Sequence, residues 1–241
     1  MGEKINVKMN NKSIMKFSII AGILIIIVSV VSFILIRDLK QESILKTEIS
    51  NLAKQDFENA NFNTNIKTTK NYAVVEKTIK EYLDEYSTNL KELLKIADDE
   101  KLVNILSADN YSKDGPDFKE TKEYLSTTKT NFNEKLNRLT QMTTEEEIMN
   151  KIEEKKLDKT YVDLYKKLML GETKKVDFSE SQETYKQIGE NINNILTTEE
   201  KVIDLLISNK NKWQIEDGKI VFQNTDTLNK YNELIKEYQS E

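Results

Sequence analysis

Twelve consecutive residues, DNYSKDGPDFKE from Asp109 to Glu120, open and close on an acid as a calcium loop does. Such a loop also wants oxygen ligands at its third and fifth places and a glycine at its sixth. Here Tyr111 and Lys113 hold the third and fifth places, and Gly115 falls at the seventh. The stretch therefore reads as a solvated Asp-Gly-Pro loop rather than a metal site. Paired carboxylates could in principle cleave a glycosidic bond. With 41 acids in the chain every pairing is available and none is marked out, and six glycines give little sign of a sugar cleft. The tyrosine pairs Tyr82/Tyr86 and Tyr161/Tyr165 stand one helical turn apart. They read as residues at the rim of a core, with hydroxyls reaching water.

The chemistry that is missing is equally informative. There is no histidine, the commonest general base and transition-metal ligand, and no cysteine for a thiolate or a disulfide. No phosphate-binding glycine loop, dinucleotide fingerprint or nucleophile elbow occurs. No residue is assigned a catalytic, cofactor-binding or metal-ligating role.

The elements that would position any site begin with FSIIAGILIIIVSVVSFILI, Phe17 to Ile36, which is uncharged throughout and bounded by Lys16 and Arg37. As a helix this run is roughly 30 Å long, enough to cross the hydrocarbon core of a bilayer. It is too long for a signal-peptide core, and the residues after it offer no small-residue cleavage site. Lys4, Lys8, Lys12 and Lys16 precede it, against Arg37 and Lys40 just behind. The positive-inside bias puts the N-terminus in the cytoplasm. Residues 1–16 are then a basic cytoplasmic tail, 17–36 a transmembrane helix, and 37–241 an extracytoplasmic helical domain. Four of the 36 basic residues lie in the tail, leaving 32 against 40 acids from Arg37 onward. An acidic body is unsuited to nucleic acid, whose phosphates need a basic face. The 34 lysines to two arginines, with abundant Asn and Ile, are the usage of AT-rich genomes.

Helical spacing dominates that body. An apolar stripe from Ile44 to Ala60 continues the membrane helix outward, and Tyr72 to Ala97 forms a long amphipathic helix. Phe118, Leu125, Phe132 and Leu139 recur every seven residues, with Thr121 and Thr128 between them. The sequence TTEEE at Thr143 is a capping signal that opens one helix running through Ile148, Ile152, Tyr161, Leu164 and Leu168 to Gly171. Tyr185, Ile188, Ile192 and Ile195 mark the next helix, and a second TTEE at Thr197 starts a separate short one through Val202, Ile203, Leu206 and Ile207. Short connections favour an antiparallel bundle within one chain over a coiled-coil oligomer.

One stretch breaks the helical pattern. KWQIEDGKIVF, Lys212 to Phe222, has strand alternation about Asp217-Gly218, the pair suited to a type I′ turn. The implied cross-strand pairs are Trp213–Phe222, Gln214–Val221, Ile215–Ile220 and Glu216–Lys219. Trp213, Ile215, Ile220 and Phe222 then share one apolar face. An isolated hairpin is marginal in water, so this face either caps the helices or forms a partner-binding platform around the single tryptophan. Leu228, Tyr231, Leu234, Ile235 and Tyr238 are the inner face of a closing helix.

With one N-terminal span, a Lys/Asn-rich helical body and the ending W-x-I-x-D-G-K-I-x-F … L-x-x-Y-N-x-L over residues 213–234, the chain is similar to uncharacterised envelope proteins of low-GC bacteria. Those are single-span or lipid-anchored helical proteins, and the resemblance implies no catalytic residue. The expected fold is mainly α: a transmembrane helix followed by an extracytoplasmic antiparallel bundle with one C-terminal β-hairpin. The expected role is a membrane-anchored binding module, with the membrane and an envelope protein or wall component as partners and no cofactor. A carboxylate-dependent envelope enzyme and a structural spacer are the alternatives.

Overall fold

The structure, a computed structural model, describes residues 40–55, 61–62, 65–171 and 179–240. The basic tail 1–16 and the run 17–36 lie outside them. Among the described residues no helix is long and apolar enough to cross a membrane. What is described is mainly helical, with one two-stranded antiparallel hairpin near the C-terminus. The helices are α1 (Lys40–Leu52), α2 (Lys70–Ala97), α3 (Glu100–Val103), α4 (Ala108–Asp114), α5 (Lys119–Met142), α6 (Glu145–Glu153), α7 (Lys159–Leu170) and α8 (Ser179–Ser208). After α8 come β1 (Trp213–Glu216), β2 (Lys219–Phe222) and α9 (Thr225–Ser240).

The described chain divides into two compact units. One, the hairpin unit, holds residues 94–134 and 187–240; the other holds 40–93 and 135–186. Helices α2, α5 and α8 therefore contribute residues to both.

The heptad of aromatic and aliphatic residues works as its spacing implies: Phe118, Leu125, Phe132 and Leu139 are all buried, and Thr121 and Thr128 with them. Thr144 is the N-cap of α6, accepting from the Glu147 amide at 3.2 Å. Gly171 ends α7 with φ +79°, a value that glycine adopts without steric cost.

Three boundaries differ from the sequence reading. The helix expected from Thr144 to Gly171 is two helices, because Glu153 to Thr160 bury nothing and Lys156 turns at φ +53°. With no core contact to carry the helix across this stretch, the chain leaves it and starts again. The reverse happens at the second TTEE. Its flanking residues Ile192, Ile195, Val202, Ile203 and Leu206 keep one helical phase, so α8 runs unbroken and Thr198 is buried inside it. Continuous burial outweighs a local capping preference. Third, the first half of the expected loop, Asp109 to Asp114, is helix α4, and only Gly115 to Phe118 turn. Ser107 caps it at 3.1 Å, and Asp114 accepts from the Thr121 amide at 2.7 Å, serving the first turn of α5.

In the second unit three of the four tyrosines read as core-rim residues lie deeper, while Tyr161 is half-buried. Tyr82, Tyr86 and Tyr165 are buried; the Tyr82 hydroxyl donates to the Met142 carbonyl and Tyr86 pairs with Tyr185. Tyr161 packs edge-on against Tyr72 with ring centroids 5.2 Å apart. Nearby, Glu85 meets Arg138 and Lys151, and Arg138 also meets Glu147, a half-exposed web joining α2, α5 and α6.

The same unit buries a true ion pair. Glu76 on α2 is fully enclosed, and Lys80, one turn on, approaches it at 2.7 Å and Glu48 of α1 at 2.7 Å. The Glu76 carboxylate also accepts from the Lys67 and Thr68 amides and from the Thr68 hydroxyl, at 2.7–3.0 Å. Burial alone would raise this carboxyl, but the Lys80 ammonium and these donors outweigh it and hold it below the ordinary carboxylate value. Replacing Lys80 with alanine leaves Glu76 as an unpaired buried charge, which costs about 3–5 kcal/mol. Chemical denaturation of the full chain checks this. Because the folded carboxyl is depressed, its stabilisation is present above the ordinary value of 4.5 and is lost as pH falls through the folded value. Amides of α1 and the start of α2 should accordingly lose exchange protection in acid, and a Glu76→Gln chain should lose that pH dependence.

Candidate functional site

Residues with perturbed chemistry converge inside the hairpin unit, and the hairpin itself holds them in place. Asp217 and Gly218 turn at φ +49° and +70°, and the strands pair Trp213 with Phe222, Gln214 with Val221, Ile215 with Ile220 and Glu216 with Lys219. Both the turn and the register are those the sequence implies.

Of the four apolar residues considered for a partner surface, Trp213, Ile220 and Phe222 are buried and Ile215 is half-buried. The platform reading gives way to the packed one, because the face is already covered. The Trp213 ring lies near-parallel to Phe118, centroids 5.8 Å apart and 27° between planes, and meets Tyr111 of α4 at 6.1 Å. Phe222 contacts Tyr231 of α9 at 5.0 Å. The Trp213 indole N–H donates to the Leu206 carbonyl at 2.8 Å, within the last turn of α8, where the same carbonyl also takes the Asn209 amide at 3.2 Å. Gly115 leaves the room for this: a Cβ there would lie 2.4 Å from the Tyr111 carbonyl oxygen and 2.9 Å from the Trp213 ring.

Behind the aromatic contact lies a polar interior. The Tyr111 and Tyr231 hydroxyls are 3.2 Å apart, and the Tyr238 hydroxyl donates to Glu199 Oε1 at 3.1 Å. Glu199, on α8, is 1% exposed, and its Oε2 has no hydrogen-bond partner. Burial pushes this carboxyl up to about 8, with the Tyr238 hydroxyl drawing it partly back and the neighbouring Glu200 charge adding to the rise. Burial thus favours the protonated form of Glu199. Burial, with Tyr231 and Glu199 nearby, pushes the Tyr111 phenol well above its ordinary value, and burial takes Tyr231 up to about 12. At the edge of the cluster Tyr124 of α5 donates to Asp99 at 2.6 Å.

Such an arrangement can store a proton near neutrality. It cannot touch a solute while Glu199 is enclosed. The sequence reading missed Glu199 because TTEE resembled a helix start. The available signal was phase: Ile192, Ile195, Glu199, Val202 and Leu206 follow one another at three or four residues, so Glu199 occupies an inward position. Tyr111 was hidden by the loop reading in the same way. Among the described residues no group of three or more His, Cys, Asp or Glu is placed to hold a metal ion. No family model, no curated protein and no solved structure matches the chain.

Replacing Trp213 with alanine removes a buried aromatic and its bond to α8, and should cost about 3–5 kcal/mol. The native chain should emit in the blue and shift red on unfolding. Gly115→Ala should also be clearly destabilising, since the clashing Tyr111 oxygen is backbone. A Cβ at Gly218 would meet nothing within 4 Å, so Gly218→Val should cost only the about 1–2 kcal/mol of its positive φ. Denaturant titrations of the three variants should rank them in that way.

Proposed function

We propose that the chain is a single-pass membrane protein whose helical body faces outward from the cytoplasmic membrane and acts by binding an envelope protein or a wall component. The observation that carries this reading is the uncharged run Phe17–Ile36 with four lysines before it. A body with buried aromatic cores and a polar surface accords with it: the large apolar side chain standing exposed among the described residues is Ile66. A surface of that kind recognises partners through charge and hydrogen bonding, with lysine and an acid present on every described helix. The second reading, a carboxylate-dependent envelope enzyme, is favoured by the raised value of Glu199, since a general acid works best when it titrates near the working pH. Its enclosure weighs against that reading, because a catalytic acid has to reach the substrate proton.

Topology is the direct test. The chain lacks cysteine, so single cysteines at Ser13 and at Ser112, an exposed position on α4, carry no background. In wall-stripped cells an impermeant maleimide should label position 112 and spare position 13. The chain should also stay with the membrane through alkaline carbonate extraction. Labelling of position 13 alone overturns the orientation, and release by carbonate overturns the anchor.

A further inference from the structure

We propose that Glu199 is a proton-operated latch for the second half of α9: protonated, it lets Tyr238 and Ile235 seat against α8, and ionised, it drives them off. The inference rests on the geometry of the hairpin unit and is independent of membrane topology. Glu199 makes its side-chain hydrogen bond to one residue, Tyr238, and its other oxygen has no partner. A buried carboxylate needs two or three donors to offset lost hydration, and this one has a single phenol.

The other groups facing it do not make up the difference. From α4 comes Tyr111, whose hydroxyl is engaged with that of Tyr231 on α9. From α5 comes Tyr124, whose hydroxyl is given to Asp99. On α8 itself Glu200 is a like charge, partly met by Lys129 at 2.8 Å. No cation among these faces the Glu199 carboxyl, so water is the remaining source of donors. Tyr238 is the residue in hydrogen-bond contact with Glu199, so its departure would open the carboxyl to water. That half of α9 is held by Ile235 and Tyr238, which are buried, and by the half-exposed pair Lys201–Glu237 at 2.6 Å. An exposed pair of this kind resists opening weakly.

The direction with pH follows from the raised folded value. Below the ordinary value of 4.5 the carboxyl is protonated whether α9 is seated or open, and the latch is fully closed. Between 4.5 and about 8 the open form gives up the proton and the seated form keeps it, so seating weakens as pH rises. Above about 8 both forms are ionised and the balance stops changing.

Hydrogen exchange of the full-length chain, corrected for intrinsic rates, reads this balance at the amides of residues 232–239. Opening should grow by up to about tenfold per pH unit between roughly 5 and 8 and then level off. In Glu199→Gln it should be independent of pH. A flat native profile, the same rise in Glu199→Gln, or an equal rise across α5 and α8 would each overturn the latch. Infrared spectra of the native chain with isotope-labelled glutamate give a second measure that needs no variant. A protonated-carboxyl band should persist at neutral pH and fade as pH rises through about 8, and its absence at about pH 6, below the raised folded value, would overturn the proposal.

Discussion

The helical phase of α8 is the constraint on which most of this structure depends. From Tyr185 to Leu206 one stripe of the helix stays inward, and the places of Tyr185, Glu199 and Leu206 follow from it. Tyr185 meets Tyr86 in one unit. Glu199 is carried into the core of the other. Leu206, where the stripe ends, offers the carbonyl that takes the Trp213 indole proton. The hairpin is therefore fixed by the end of a helix as much as by its own strands. An exposed two-stranded ribbon would gain little from its backbone pairing alone; this one is held by the aromatic packing of Trp213 and Phe222.

Two buried glutamates show how far environment decides the state of one side chain. Glu76 sits among a lysine, two amides and a hydroxyl, and remains charged in a fully enclosed place. Glu199 sits among phenols that are mostly engaged with other groups, and its burial favours the protonated form. The two shifts lead to opposite expectations: acid should weaken the contacts around Glu76, and rising pH those around Glu199. A fold buried with hydrocarbon alone at these positions would show neither.

Legibility from the sequence followed the range of the interactions. The hairpin register was readable to the residue because a two-residue turn and alternating side chains determine it within one short stretch. The buried heptad positions Leu125, Phe132 and Leu139 were readable for the same reason, as one face of one helix, with Phe118 in the turn just before it. The second TTEE misled because capping is a local preference, whereas the continuation of α8 depends on what Val202 and Leu206 pack against. The tyrosine hydroxyls were misplaced because a phenol at a helix rim and one inside a core have the same spacing. Their partners, Tyr185 for Tyr86 and Tyr231 for Tyr111, lie 99 and 120 residues away. Gly115 was legible as a turn residue, yet its role is to leave space for the ring of Trp213, far along the chain.

A titrating group that no solute can reach has one route to influence anything outside the fold, which is through the elements that cover it. For Glu199 the covering element in hydrogen-bond contact is α9, and α9 also supplies Tyr231 to the contact beneath β2. A change at Glu199 is therefore transmitted first along α9 and only then to the hairpin. Trp213 has its own attachments to Phe118 and Leu206, which do not pass through α9. The two ends of the aromatic core can accordingly respond in sequence: the second half of α9 leaves while the indole stays bound to α8. Side-chain attachment, rather than distance along the chain, sets which part of the hairpin unit senses the proton.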